Sequence, residues 1–193
     1  MEQFYTLQGE GFYQGHAAYF IRLGGCDVGC TWCDVKESWS MTAHPMRSVT
    51  DIVSLAAAEP ARLAVITGGE PLMHSLDELT AALKAAGFST NIETSGAHPL
   101  SGHWDWICLS PKKFKKPLPE ILQKANELKI IVSTHTDFSW AELYASQMNP
   151  NCQLFLQPEW DQSERMLPHI VAYVKAHPKW QISLQIHKFL DIP

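Results

Sequence analysis

Short apolar runs alternate with helix-like segments along the whole chain. "AAYFIRL" (17–23), "RLAVIT" (62–67), "FSTNIET" (88–94), "WDWICLS" (104–110), "LKIIVS" (128–133), "CQLFLQ" (152–157) and "QISLQI" (181–186) read as strands. Most are near-continuous rather than strictly alternating, the pattern of strands buried on both faces of a parallel sheet. Helices are predicted at about 50–58, 75–86, 119–127, 137–147 and 161–176, each opening on a plausible cap. The clearest is "SLDELTAALKAAG". Ser75 with Glu78 three residues later forms a capping box, Leu76, Leu79 and Leu83 line one face, and Gly87 ends it. The stretch 94–104, broken by Pro99 and Gly102, is too short for a helix.

Strands alternating with helices imply right-handed βαβ units and a parallel sheet. A complete eight-fold barrel takes about 250 residues, and this chain has 193. The expectation is therefore an α/β fold in a single domain over 1–193. It is an open, partial (β/α) barrel of about six parallel strands, or a doubly wound sheet.

Charge narrows the partners. Fifteen Lys and Arg against 20 Asp and Glu give a net −5, which argues against nucleic acid as a partner. A small anion held by a few placed Arg or Lys side chains stays open. No 18-residue apolar run and no signal-peptide pattern is present, so neither a membrane span nor secretion is expected, and the location is cytoplasmic. In that reducing compartment five cysteines point to metal or packing before disulfides.

The residues after each strand carry the chemistry. "AVIT" runs into Gly68-Gly69-Glu70-Pro71, "NIE" into Thr94-Ser95-Gly96, and "ICL" into Ser110-Pro111-Lys112. "LFL" runs into Gln157-Pro158-Glu159-Trp160, and "SLQI" into His187-Lys188. Parallel α/β folds gather such ends on one ligand-binding face. Any one of these loops is explained by turn-building. Five together, carrying Glu, Lys, Gln and His, indicate a site. It is not a phosphate loop, because neither G-x-x-x-x-G-K-[ST] nor a helix-opening G-x-G-x-x-G occurs.

"GGCDVGCTWCD" (24–34) places Cys26, Cys30 and Cys33 in a C-x3-C-x2-C spacing with no fourth cysteine nearby. Zinc is one reading, with His16, Asp34 or His44 as a fourth ligand, although structural zinc motifs come as two paired ligand sets. The other is a [4Fe–4S] cluster, which normally takes four thiolates and with three leaves one iron open. Cys108 and Cys152 lie inside apolar runs and read as buried, inert thiols.

The C-x3-C-x2-C spacing, Trp32 before the last cysteine, and the later "GGEP" resemble radical S-adenosylmethionine (SAM) enzymes. In that superfamily SAM chelates the open iron, and its reductive cleavage yields a 5′-deoxyadenosyl radical. More narrowly, "FYTLQGEGFYQGHAAYFIRLGGC", "TGGEP", "ETSG", "LSPK", "LQPEW" and "HKFLDIP" resemble the 7-carboxy-7-deazaguanine synthase family across essentially the whole chain. The resemblance implies ring contraction of 6-carboxy-5,6,7,8-tetrahydropterin with loss of ammonia, SAM being regenerated. It also implies a shortened barrel, a homodimer and an electron donor such as a flavodoxin.

The resemblance assigns roles as well. Cys26, Cys30 and Cys33 would ligate the cluster. Trp32 would pack near the SAM adenine, and Gly69 and Glu70 would meet its amino group. Ser110, Pro111, Lys112, Gln157, Pro158, Glu159 and Trp160 would hold its ribose and carboxylate. Leu7, Gln8, Gly9, Glu10, Arg22, Thr67 and Pro193 would recognise the pterin. Arg22 suits a carboxylate, and the closing carboxylate of Pro193 suits paired N–H donors. Glu93 and His187 are the acid/base candidates. One departure concerns Mg2+. The family's "CDT" reads Cys33-Asp34-Val35 here, and Val35 has no oxygen for a hard cation, so weak or no Mg2+ dependence is expected.

Overall fold

A computed structural model describes residues 1–193. Eight strands form one sheet in simple sequence order. They are β1 (Glu2–Leu7), β2 (Ala17–Leu23), β3 (Leu63–Gly68), β4 (Ser89–Thr94), β5 (Trp106–Leu109), β6 (Glu127–Val132), β7 (Gln153–Pro158) and β8 (Trp180–Ile182). β1 pairs antiparallel with β2, and every later neighbour pair is parallel. β1 and β8 do not pair, so the barrel is open, as its length predicts. The helices are α1 (Val49–Ala57), α2 (Asp77–Ala85), α3 (Pro119–Lys124), α4 (Thr136–Ala145), α5 (Ser163–Ala176) and α6 (Ile186–Leu190).

Successive strand residues face opposite ways. One set, including Ile21, Ile66, Ile92, Leu109, Leu128, Ile130 and Leu156, packs with Leu83, Ile121, Phe138, Met166 and Ile170 from the helices. Each such fully buried Leu or Ile contributes about 2 kcal/mol. The other set faces the barrel interior. Its lower part is a small apolar plug of Ala18, Leu63 and Val65 against Tyr13 and Phe20. Its upper part is polar. Burial is therefore two-sided, but only the outer face is uniformly apolar.

Four elements depart from the sequence reading. β1 is unforeseen; it borrows its order from pairing with β2. Ser75 does not cap α2: the helix starts at Asp77, whose carboxylate accepts the Ser75 hydroxyl. Instead Leu76 N–H donates to Ser101 Oγ, so the capping box is not formed. α3 stops at Lys124, because the Asn126 and Glu127 backbone is drawn into pairing beside β5. The last strand keeps only Trp180–Ile182, and 186–190 turns into α6.

Gly-rich residues 8–16 span the gap between β1 and β8. Ile186 N–H donates to Gly9 C=O at 3.0 Å, Gly11 N–H to Ser183 Oγ at 2.9 Å, and Phe12 N–H to Glu127 Oε2 at 3.3 Å. Gly11 has φ +65°, and a Cβ there would land on Glu127 Oε1. Only glycine fits so close an approach.

Candidate active site

Strand ends and loops enclose a cavity of about 440 Å³. Of the site residues expected from the sequence, all line it except Pro111, which is buried away from the cavity surface. Cys26, Cys30 and Cys33 are free thiols on its wall. Their loop is fastened from two sides. The short 3-10 helix Lys36–Trp39 accepts Gly25 N–H (2.6 Å, at Ser38 C=O) and Cys26 N–H (3.1 Å, at Trp39 C=O). From the other side, Gly69 N–H donates to Leu23 C=O at 3.0 Å and Glu70 N–H to Gly25 C=O at 2.7 Å. A Cβ on Gly69 would strike the Gly25 carbonyl and come within 2.8 Å of Cys26 Cβ. The cysteine loop and the "GGEP" loop thus form one interlocked unit, and the Gly69 carbonyl keeps no internal partner.

Glu70 is 1% exposed. Its Oε1 accepts Leu72 N–H at 3.1 Å and Thr94 Oγ1 at 2.6 Å, while Oε2 accepts Ser95 N–H at 2.8 Å and Ser95 Oγ at 2.5 Å. Three of these bonds tie the β3 loop to the β4 loop and the fourth, from Leu72, closes the β3 loop on itself, so the carboxylate braces the wall. Asp27, between the first two cysteines, binds His98 at 2.9 Å and Lys115 at 2.5 Å, anchoring the loop further.

Lys112 stands beside the cysteine loop. Its Nζ donates to Ser110 C=O (2.5 Å) and Oγ (2.7 Å) and sits 5.6 Å from the Trp32 ring centre. Burial pushes its ammonium pKa down, and Cys30 opposes that shift. Burial likewise pushes the Cys30 thiol up, while Lys112 draws it down. The other lysines of the run differ: Lys113 pairs with Asp137 and Lys115 with Asp27. Cys108 and Cys152 are held as thiols by burial, Cys152 at about 12.

A closed ring of polar groups forms a further part of the wall. Lys129, 3% exposed, donates to Glu10 Oε2 at 2.5 Å and Glu93 Oε2 at 2.8 Å. Gln8 Nε2 donates to Glu93 Oε1 at 3.2 Å, and Glu10 N–H to Gln8 Oε1 at 3.1 Å. Gln185 Nε2 reaches Glu10 Oε1 at 2.9 Å. His187 stands against Gly9, where any Cβ would collide with its ring. Burial lowers its pKa, partly offset by Glu10, so the imidazole is neutral at pH 7. Arg22 stacks 5.2 Å over Phe4 and pairs with Glu2. Thr6 Oγ1 touches Pro193 C=O at 3.4 Å. Trp160 lies 4.6 Å from Lys188 Nζ.

Lys129, Glu127 and Gln185 were not singled out from the sequence. For the first two the signal is nonetheless there: "ELKIIV" places two charges at a spacing of two in an otherwise apolar strand, both on one face.

An open parallel barrel with three free thiols interlocked with a Gly-Gly-Glu turn is the architecture of the radical SAM superfamily, whose model matches residues 20–129. A 7-carboxy-7-deazaguanine synthase of Flavobacterium psychrophilum is 54% identical over the whole chain and 91% of that protein. One from Synechocystis is 50% identical over 99% of this chain and 91% of its own. The crystal structure of QueE from Escherichia coli superposes with a TM-score of 0.84 at 34% identity, covering 95% and 92% of the two chains. The chain belongs to the 7-carboxy-7-deazaguanine synthase family.

Proposed function

We propose that the protein converts 6-carboxy-5,6,7,8-tetrahydropterin into 7-carboxy-7-deazaguanine with release of ammonia, for 7-deazapurine and queuosine biosynthesis. The observation that carries this reading is the convergence on one cavity of the three thiols, the Gly69 carbonyl and the Glu10–Lys129–Glu93 wall. The thiols fit a [4Fe–4S] cluster. They line a shared cavity at C-x3-C-x2-C spacing with no fourth cysteine beside them, a donor set that leaves one iron of a cluster open and falls one short of a closed structural zinc site. Cluster and SAM together supply one-electron cleavage and hydrogen-atom abstraction.

The remaining steps fall to the chain. The free Gly69 carbonyl accepts from the SAM ammonium, and Lys112 with Ser110 and the Gln157–Trp160 turn contact its polar groups. Arg22 exchanges Glu2 for the substrate carboxylate, for which its planar fork is suited. Gln8 and the Glu10 and Glu93 carboxylates accept from the pterin N–H edge. Neutral His187 takes up or returns a proton at a ring nitrogen. Thr67 and Leu7 complete the cavity wall, and Pro193 closes it. A homodimer, a flavodoxin-type donor and a cytoplasmic location complete the proposal. No helix is long and apolar enough to cross a membrane.

The test is anaerobic reconstitution and reduction with SAM and 6-carboxytetrahydropterin, followed by mass spectrometry. Product in excess of enzyme supports the reading. 5′-Deoxyadenosine without product refutes the substrate, and zinc without iron refutes the chemistry. With Val35 at the position after Asp34, adding Mg2+ to stripped enzyme leaves the rate nearly unchanged. A large gain would overturn that part.

A further inference from the structure

We propose that Lys129 is a positioning residue: a buried ammonium that fixes the Glu10 and Glu93 carboxylates side by side on the cavity wall, presenting two rigid acceptors to the N–H-rich edge of the substrate. The proposal rests on the function proposed above and identifies what organises that site.

Lys129 lies inward from the middle of β6 and bonds both carboxylates at 2.5 and 2.8 Å. The two bonded oxygens therefore lie within the combined length of those bonds. Like charges that close oppose each other's ionisation unless a cation lies between them. Lys129 is that cation, and it is one corner of a closed ring through Glu93, Gln8 and Glu10. The ring joins β6, β4 and the 8–16 loop, while Gln185 adds the C-terminal segment. Three segments distant in sequence are thus set relative to one another by a single nitrogen. Burial argues against charge on Lys129, but the Glu10, Glu93 and Glu127 carboxylates keep it well above its ordinary range; Cys108 beside it is a neutral thiol. Lys112 and His187 are the other titratable groups influenced by its charge.

A core lysine serving only stability would neutralise its partners away from any cavity. Here all three charged members line the cavity. The substrate class that fits is a flat heterocycle with adjacent N–H donors.

The test compares Lys129→Met, Lys129→Arg and the double variant Lys129→Met/Glu10→Gln. Readouts are the pH dependence of kcat/KM and calorimetric binding of 7-carboxy-7-deazaguanine to the unreduced protein. Lys129→Met should lose on the order of 100-fold in kcat/KM at pH 7, the scale of a misplaced contact. Its acid limb should move to higher pH, because one of the adjacent carboxylates then takes a proton. Lys129→Arg should bind product nearly normally. The double variant should shift the limb back, since one charge is gone. A uniform loss at every pH, with an unmoved limb and no effect of Glu10→Gln, overturns the proposal. If Lys129→Met does not fold, 13C titration of glutamate-labelled wild type decides: Glu10 titrating at its ordinary 4.5 rather than about 2 overturns it. Wild type that binds no product and forms none would refute the functional reading, while leaving that titration as the test of Lys129.

Discussion

Glu70 to Gln isolates what the interlocked loops require. The carboxylate accepts four bonds, two on each oxygen, and each oxygen serves one backbone N–H and one hydroxyl. In Gln one oxygen becomes an NH2, whichever way the amide lies. The hydroxyl on that side can turn to accept, but the backbone N–H of Leu72 or Ser95 cannot. One buried N–H without an acceptor costs about 1–3 kcal/mol, and exchanging charged for neutral bonds adds to it. About 2–3 kcal/mol is therefore expected for Glu70→Gln. Glu70→Ala leaves both N–H groups unpaired and should cost about 4 kcal/mol. Urea unfolding of the apo protein measures this without cluster or SAM. Glu70→Gln within about 0.5 kcal/mol of wild type would mean that the four bonds contribute nothing net, and would return the carboxylate to direct ligand binding.

Glu10 gives a pH-dependent expectation. Burial alone would raise its pKa, but the charge and hydrogen bond of Lys129, with Gln185, hold it at about 2 against an ordinary 4.5. A depressed folded value adds stability above about 4.5 that is lost as pH falls toward 2. Wild type should therefore lose on the order of 3 kcal/mol relative to Glu10→Gln over that window; parallel pH curves would refute it. Gly69→Ala should displace the cysteine loop, at a cost of about 1–3 kcal/mol, and lower the iron and sulfide retained after reconstitution. Full iron content in that variant would show that the loop yields without harm.

Element existence was legible wherever an apolar run had clear borders, as in β3 and β7. β1 was not, because "EQFYTL" is half polar and its order comes from β2. The capping box at Ser75 failed for a tertiary reason: Ser101 supplies the bond that caps Leu76 N–H, which no local pattern encodes. The cysteine loop, the GGE turn and the strand-end loops were legible because their spacing is short-range. The Lys129 ring was not, since its members come from positions 8, 10, 93 and 129. What was visible was the alternation within β6, where Leu128 and Ile130 face the helices and Glu127 and Lys129 face inward.

The shortness of the barrel and the identity of its site residues share one cause. With β1 reversed and β8 only three residues long, no strand pairing closes the gap between them. The 8–16 loop and the 183–187 segment close it instead, through Gly9, Gly11, Ser183 and Ile186. Backbone filling a gap must lie against the interior, so its side chains project there: Gln8, Glu10, Gln185 and His187 all line the cavity. The two glycines permit that approach, one against His187 and the other against Glu127. Residues that seal the barrel are therefore also residues that line the cavity, and losing the seal would remove part of its wall.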